Sequence, residues 1–430
     1  MIYKVKDKFW LALCFVSFFS QAELTPKSHT GWLGIDYQAN VGIDTGYNDN
    51  VTFQPDPLYA SESFFYRINP EIRMIGQRYT DTYVLSYSGD YLKYEDASSD
   101  DANKHDLSFY GEWWLGFKHS VKLNLDNTIN REQRGRELTE GLLPSQLALY
   151  GIDEGLKTNF FNGEVRYNYG APEGRGSLQF ALQQKRLDYT DLSSVEQASS
   201  DFYQYVLAQE WVESSAIVEL FDKYSKVSRF RYSFITNHRD YENQIKNSNE
   251  YFLVVGVQTE LTGKSYIDFN LAWLYKNFLN NSDSDDFNGL NWNFKYRWQP
   301  VNYSTLELQT SRTVKDPNES GGYIKDNKYG ISWKHYWWVD RLYTRFEFLY
   351  NDLDYVNMNT RRNDKQYTST VAIGYDYRQS VYMELSYQDL RVGSNLVTDT
   401  FYIGENGTVP VNRTLGLDKS LIMLTFKVNI

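Results

Sequence analysis

The stretch Phe287 to Thr310, FNGLNWNFKYRWQPVNYSTLELQT, constrains the fold more than any other part of this chain. Leu290, Trp292, Phe294, Tyr296 and Trp298 alternate with Asn291, Asn293, Lys295 and Arg297, so the period is two and the element is a β-strand. Pro300, Val301 and Asn302 form a short connection, after which Leu306 and Leu308 alternate with Glu307, Gln309 and Ser311. This is an antiparallel hairpin with one aromatic face and one charged face. A buried sandwich core rejects unpaired charges on an inner face. A closed transmembrane sheet, with lipid outside and water inside, accommodates both.

Composition supports that solvent arrangement. Aromatic residues make up 17% of the 430 residues, with 37 Tyr, 25 Phe and 11 Trp, yet mean hydropathy is −0.58. Past the N-terminal run no segment is apolar enough to cross a bilayer as a helix. Many strands with polar lumen faces and aromatic lipid faces fit better.

The first residues, MIYKVKDKFWLALCFVSFFSQA, place Lys4, Lys6 and Lys8 before the apolar run Phe9 to Phe19, and Ser20-Gln21-Ala22 offers a small-residue cleavage site. Residues 1–22 are therefore expected to be a secretory signal peptide. A lipoprotein anchor at Cys14 is the competing reading, set against bulky Leu13 at the preceding position. Cys14 is the only cysteine, so cleavage leaves neither a disulfide nor a cysteine metal site. Removing residues 1–22 also moves the formal charge from −11 to −13. Such an acidic chain is a poor nucleic-acid binder.

A polar linker, 23–30, precedes the expected barrel at 31–430. Alternation recurs from Leu33 to Asp44 and from Phe64 to Met74, where mid-strand Pro70 suggests a bulge. It continues through Tyr83 to Tyr91, Leu107 to Phe117, Val121 to Ile129, Phe161 to Tyr167 and Leu178 to Lys185. Further runs extend from Phe230 to the last, Ile422 to Ile430, which ends on Ile430 instead of an aromatic residue. The count predicts an all-β, antiparallel transmembrane β-barrel of about 18 strands, two more or fewer, with both termini periplasmic.

Two segments break the rhythm. From Arg134 to Lys157 alternation stops, and LLPSQLALYG suggests a brief helix in a long loop, either a cap or inward constriction or an ordinary external loop. Between Ser214 and Val227, the spacing of Ile217, Leu220, Phe221, Tyr224 and Val227 suggests a short periplasmic helix, with a poorly alternating strand pair as the alternative.

The charges expected to line the lumen are Arg67, Arg73, Lys122, Arg166, Arg229, Arg231, Lys295, Arg297 and Arg345 against Glu71, Glu112, Asp126, Glu164, Glu307 and Glu347. Opposed in ladders they polarise water and bind a hydroxylated solute; paired with one another they close the lumen. About 18 strands enclose more space than side chains fill, which favours a channel unless loops plug it. Tyr296 and Trp298 are expected in the periplasmic aromatic girdle, against outer-membrane lipid. The five histidines lack a convincing Ser or Asp partner, and no phosphate loop or metal-ligand spacing is present, so neither an enzyme nor a cofactor is expected.

Gly46 to Val51 (GYNDNV), Tyr66 to Arg73 (YRINPEIR), Tyr87 to Asp96 (YSGDYLKYED), the following DDANKHDL, and Arg131 to Gly135 (REQRG) resemble the porin-type outer-membrane barrels of exopolysaccharide and capsule gene clusters, the VpsM-like proteins. The resemblance covers the first third in motif detail and the remainder in rhythm. It implies a conduit or accessory in export or assembly of a surface polysaccharide, with periplasmic export components as partners, and it supplies no catalytic residue. A general or sugar-selective diffusion porin and a plugged-barrel adhesin are the other classes the residues allow.

Overall fold

A computed structural model describes residues 29–30, 34–171, 174–280, 286–318, 322–338, 341–357, 361–378, 380–404 and 407–429. The expected signal peptide and most of the linker lie outside the described residues; His29 and Thr30 pair with Tyr37 and Asp36.

The barrel begins with β1 (Ile35–Asn48), β2 (Ser63–Arg78), β3 (Asp81–Tyr94), β4 (Ala102–Trp114), β5 (His119–Arg131) and β6 (Lys157–Tyr169). It continues through β7 (Gly176–Thr190), β8 (Trp211–Asp222), β9 (Ser228–Tyr241), β10 (Ser248–Thr262), β11 (Ser265–Phe278) and β12 (Phe287–Val301). The last six are β13 (Ser304–Lys315), β14 (Tyr323–Trp338), β15 (Leu342–Val356), β16 (Asn363–Arg378), β17 (Val381–Ser394) and β18 (Leu417–Asn429). Each pairs antiparallel with its sequence neighbours, and β18 pairs with β1 from Asn40↔Asn429 to Asn48↔Leu421. The 18-stranded sheet is thus closed, which satisfies every strand edge internally, as lipid requires.

Connections alternate between two kinds. Tight turns such as Gly263-Lys264 and Asn302-Tyr303 join strands at one end, where β1 also begins and β18 also ends. Long loops, including 132–156, 191–210 and 395–416, join them at the other. Register irregularities in β10, β12, β14 and β16 all fall in the last residues before a tight turn. Bulges at a barrel rim add the local twist that closure demands.

Strand alternation sorts the two faces. Ile43, Ile68, Leu182, Leu253, Val371 and Leu385 are exposed on the outside, while their sequence neighbours point inward. Tyr275 pairs with Asn288, ten residues before Trp298 on the same outer face of β12. Ten residues rise about 33 Å along a strand, or about 25 Å vertically at a tilt of about 40°. That equals the height of an apolar band bounded by aromatic residues.

Three expectations are corrected. The segment expected to be a helix, 214–227, is strand β8 through Asp222, then the connection into β9. Ser214 and Ala216 dilute its outer face, and Ile217 and Phe221 point inward, so apolar residues fall at helical spacing by coincidence. Pro70 makes no bulge: β2 and β3 keep one register from Ile68↔Tyr91 to Glu71↔Ser88 and only skip the two intervening pairs. Gly89 stands opposite, where a Cβ would come 3.3 Å from the proline ring and 2.7 Å from the Tyr91 ring. Pro300 lies inside β12, within its irregular stretch, and the turn is Asn302-Tyr303. Proline needs no ladder partner there.

Candidate functional site

The inner surface divides into two tiers. Registers put Arg67, Glu71, Arg73, Glu112, Lys122, Asp126, Glu164, Arg166, Arg229, Arg231, Lys295, Arg297, Glu307, Arg345 and Glu347 on the face opposite the exposed apolar residues. All but Arg67 and Asp126 fall in the half of their strand next to a tight turn. Tyr296 and Trp298 are on the outer face, Trp298 exposed.

In this lower tier opposite charges meet along single strands, across adjacent strands and over one intervening strand. Lys295 Nζ lies 3.0 Å and Arg297 Nε 2.5 Å from the Glu307 carboxylate. Arg166 Nε is 2.8 Å from Glu164 and its guanidinium also reaches Glu219. Arg345 holds Glu347 at 3.1 Å and Glu384 at 2.7 Å, and Lys122 stands 3.5 Å from Glu112. Most of these side chains keep part of their surface open, with Lys295 at 39% and Arg297 at 46%. Arg73 makes no ion pair among the described residues, although Glu71, Ser86, Ser108 and Asp126 share its recess of about 270 Å³.

The upper tier, nearer the long loops, was anticipated only at Arg67 and Asp126. Arg67 Nε donates to Asp90 at 2.7 Å. Lys185 reaches Glu213 at 3.0 Å, Arg239 Nε donates to the same carboxylate at 2.8 Å, and another Arg239 nitrogen meets Asp316 at 2.6 Å. Lys276, 1% exposed, sits between Glu250 at 2.8 Å and Asp316 at 2.5 Å. Burial raises the Asp316 carboxyl pKa, but the charges of Lys276 and Arg239 outweigh burial and hold it well below the usual carboxylate range. Asp316 opens the loop after β13, so these cations tether that loop to the wall.

Above this tier the long loops form a packed layer. Loop 132–156 contributes a single turn, Glu137–Thr139, and α1 (Pro144–Leu149); loop 191–210 contributes α2 (Ser193–Ala198) and α3 (Ser200–Leu207); and loop 395–416 contributes a hairpin of Thr398–Ile403 with Val409–Thr414. Leu142, Leu147, Ile152, Phe202, Val206, Phe401, Ile403 and Val411 bury one another there. Each such side chain contributes roughly 1.5–3 kcal/mol by leaving water. Ser199 caps α3 by accepting from the Phe202 N–H, which presents Phe202, Tyr205 and Val206 on one side. The cluster rests on Leu187 and Tyr189, inward-facing on β7, so the layer packs as a cap against the inner wall at the long-loop end and does not stand free in solvent.

Polar ties lock the cap to neighbouring loops. Gln54 donates to the Leu142 carbonyl at 3.0 Å, Arg134 forms a forked pair with Asp100 at 2.8 Å, and Arg362 reaches Glu140 at 3.0 Å. The Thr414 N–H donates to the Gly141 carbonyl at 2.9 Å. Gly141 has φ +71°, and a Cβ there would collide with the Thr414 carbonyl oxygen, so the crossing requires glycine. Beneath the cap, Arg67, Asp90, Asn130, Glu132 and Arg136 line a cavity of about 310 Å³. Burial, then repulsion from Glu137, pushes the Glu132 carboxyl pKa up to about 8, against a hydrogen bond from Tyr189 and the charge of Arg136.

No helix among the described residues is long and apolar enough to cross a membrane, and no group of three metal-ligating side chains occurs among them. Closed sheet, apolar outside and charged inside define a porin-type β-barrel of the bacterial outer membrane. The chain belongs to the family described as "Putative beta-barrel porin 2", whose model matches residues 37–404. A comparison with curated proteins finds no match. Among solved structures, Pseudomonas aeruginosa OpdQ is 9% identical with a TM-score of 0.48, over 92% of this chain and 97% of that one. A BenF-like porin from Pseudomonas fluorescens Pf-5 is 9% identical with a TM-score of 0.48, over 92% and 99%. The siderophore receptor PirA of Pseudomonas aeruginosa is 11% identical with a TM-score of 0.43, over 95% and 81%.

Proposed function

We propose that this barrel is a diffusion channel for hydroxylated solutes across the outer membrane, with the tight turns and both termini in the periplasm and the cap at the outer mouth. The observation that carries this reading is the lower-tier set of opposed, part-open charges, Lys295 and Arg297 facing Glu307 and Arg345 beside Glu347. Such rows orient water and exchange hydrogen bonds with sugar hydroxyls, whereas fully buried pairs would only seal the wall. Trp298 and Tyr296 mark the periplasmic lipid boundary. The lumen residues conduct and select; none is assigned a catalytic step. Reconstituted into a planar bilayer, the full barrel is expected to give stepwise ion conductance, and in liposomes to admit small neutral sugars. Repeated insertion without conductance or sugar entry would overturn the reading.

Export or assembly of a surface polysaccharide is the second reading, supported by the motifs between Gly46 and Gly135. Its partners would be the polysaccharide and periplasmic export components. Deletion of the gene is expected to lower secreted and cell-surface polysaccharide; unchanged levels would remove this reading and leave the first intact.

A further inference from the structure

A second recess opens at the tight-turn mouth, far from the cap. It is a cavity of about 350 Å³ between residues 171 and 174–177, the turn 223–227 and the adjoining ends of β8 to β11. Ligand sites commonly run from roughly 300 to 1,000 Å³. Among the described residues its lining includes Arg175, Lys223, Lys226 and Arg229 and one carboxylate, Glu260. In a chain of formal charge −11 this concentration of cations is local and opposite to the whole.

Arg229 is the informative side chain. Its guanidinium carbon lies 3.7 Å above the Phe221 ring centre, and it makes no ion pair or side-chain hydrogen bond among the described residues. Stacking occupies the guanidinium face and leaves the N–H edges free, the arrangement that grips a carboxylate with two parallel bonds. Two nearby carboxylates, Glu219 and Asp222, are committed elsewhere, and Glu260 is the one left facing the recess among the described residues. Glu219 is shared by Arg166, by Arg231 at 3.9 Å and by the Ser233 hydroxyl at 3.0 Å, and Asp222 is 3.1 Å from Arg175. The rest of the lining carries groups that suit sugar hydroxyls, among them Ser177, Gln258 and Tyr266 on the lumen face.

We infer that this recess binds an acidic saccharide, with Arg229 gripping a carboxylate, Lys226 adding a second positive charge and the hydroxyl and amide groups taking the sugar ring. Passage of the captured sugar rests on the channel reading: the barrel collects acidic sugars at its tight-turn mouth. Binding itself needs no open pore.

Isothermal titration of the detergent-purified full barrel with a galacturonic acid trisaccharide is the test, with maltotriose and inorganic phosphate as comparators. The acidic trisaccharide is expected to bind at least tenfold more tightly than either. Arg229→Gln is expected to remove that preference, and Lys226→Gln, on an exposed turn where folding is insensitive, to weaken binding several-fold. Equal binding of maltotriose, equal binding of phosphate, or full affinity in both variants overturns the inference. A parallel bilayer recording separates the two readings. Conductance without acidic-sugar binding sinks this site alone, and binding without conductance sinks the channel alone.

Discussion

The two tiers of the lumen use the same residue types for different ends. Near the tight turns, Lys295 and Arg297 share Glu307 while staying 39% and 46% exposed. Near the long loops, Lys276 shares Glu250 and Asp316 at 1% exposure, and Glu213 holds Lys185 and Arg239 at 1%. Desolvating a charge costs several kcal/mol unless its partners and hydrogen bonds compensate, so a buried pair cannot exchange its partner for a solute. A half-open pair exchanges readily. The Lys276 and Glu213 groups of the upper tier therefore fix loops to the wall, while the Lys295–Arg297–Glu307 group of the lower tier stays open to the lumen.

The largest expected effect tests that division directly. Lys276→Met leaves buried Glu250 without its cation and Asp316 with Arg239 alone, which costs about 3–5 kcal/mol. Lys295→Met removes an exposed pair and costs within about 1 kcal/mol. Urea unfolding of the two variants in micelles, followed by the mobility shift of the heat-treated barrel, measures both. Equal losses would break the comparison.

The barrel was legible because lipid enforces period two on every strand, so Leu290 to Trp298 and Ile422 to Val428 declare their faces without help from distant residues. Inner charges followed from the same alternation, and Lys295, Arg297 and Glu307 emerged as neighbours because a hairpin keeps sequence distance short. Lys276, Asp316 and Arg239 did not, since their meeting depends on strands and loops dozens of residues apart. The cap was half visible. LLPSQLALYG suggested α1, but the loop 191–210 went unread, although Ser199 followed by Phe202, Tyr205 and Val206 has the capping residue and the i, i+3, i+4 spacing of a helix. Segment 214–227 misled for the converse reason: a strand with small lipid-facing residues and two inward apolar ones imitates that spacing.

A smaller effect sharpens the comparison at the junction of cap and wall. The Glu132 carboxyl titrates at about 8, above its ordinary 4.5, so the folded cap binds a proton that the released loop gives up between those values. Stability of the closed cap is therefore greatest below about pH 4.5 and falls as pH rises toward 8, because the unfolded state binds fewer protons in that window. Conductance of the reconstituted barrel is expected to rise several-fold across the interval, with Glu132→Gln holding the acid value throughout. A pH response unchanged by Glu132→Gln would place the control elsewhere.

The smallest effect concerns the lower tier and is one of selectivity, not stability. Glu307→Gln leaves Lys295 and Arg297 facing a neutral amide, costing about 1 kcal/mol or less because the group is partly solvated. The two cations are then unopposed at the wall, and the reversal potential in a salt gradient shifts toward anions. Screening sets the conditions. At 0.1 M salt the Debye length is about 10 Å, comparable with a channel radius, and at 1 M it is about 3 Å. The shift should be clear in dilute salt and should vanish in concentrated salt if Glu307 acts through the lumen field. A shift that persists at 1 M would mean that the substitution has rearranged the wall itself, and the lower tier would then be as structural as the upper.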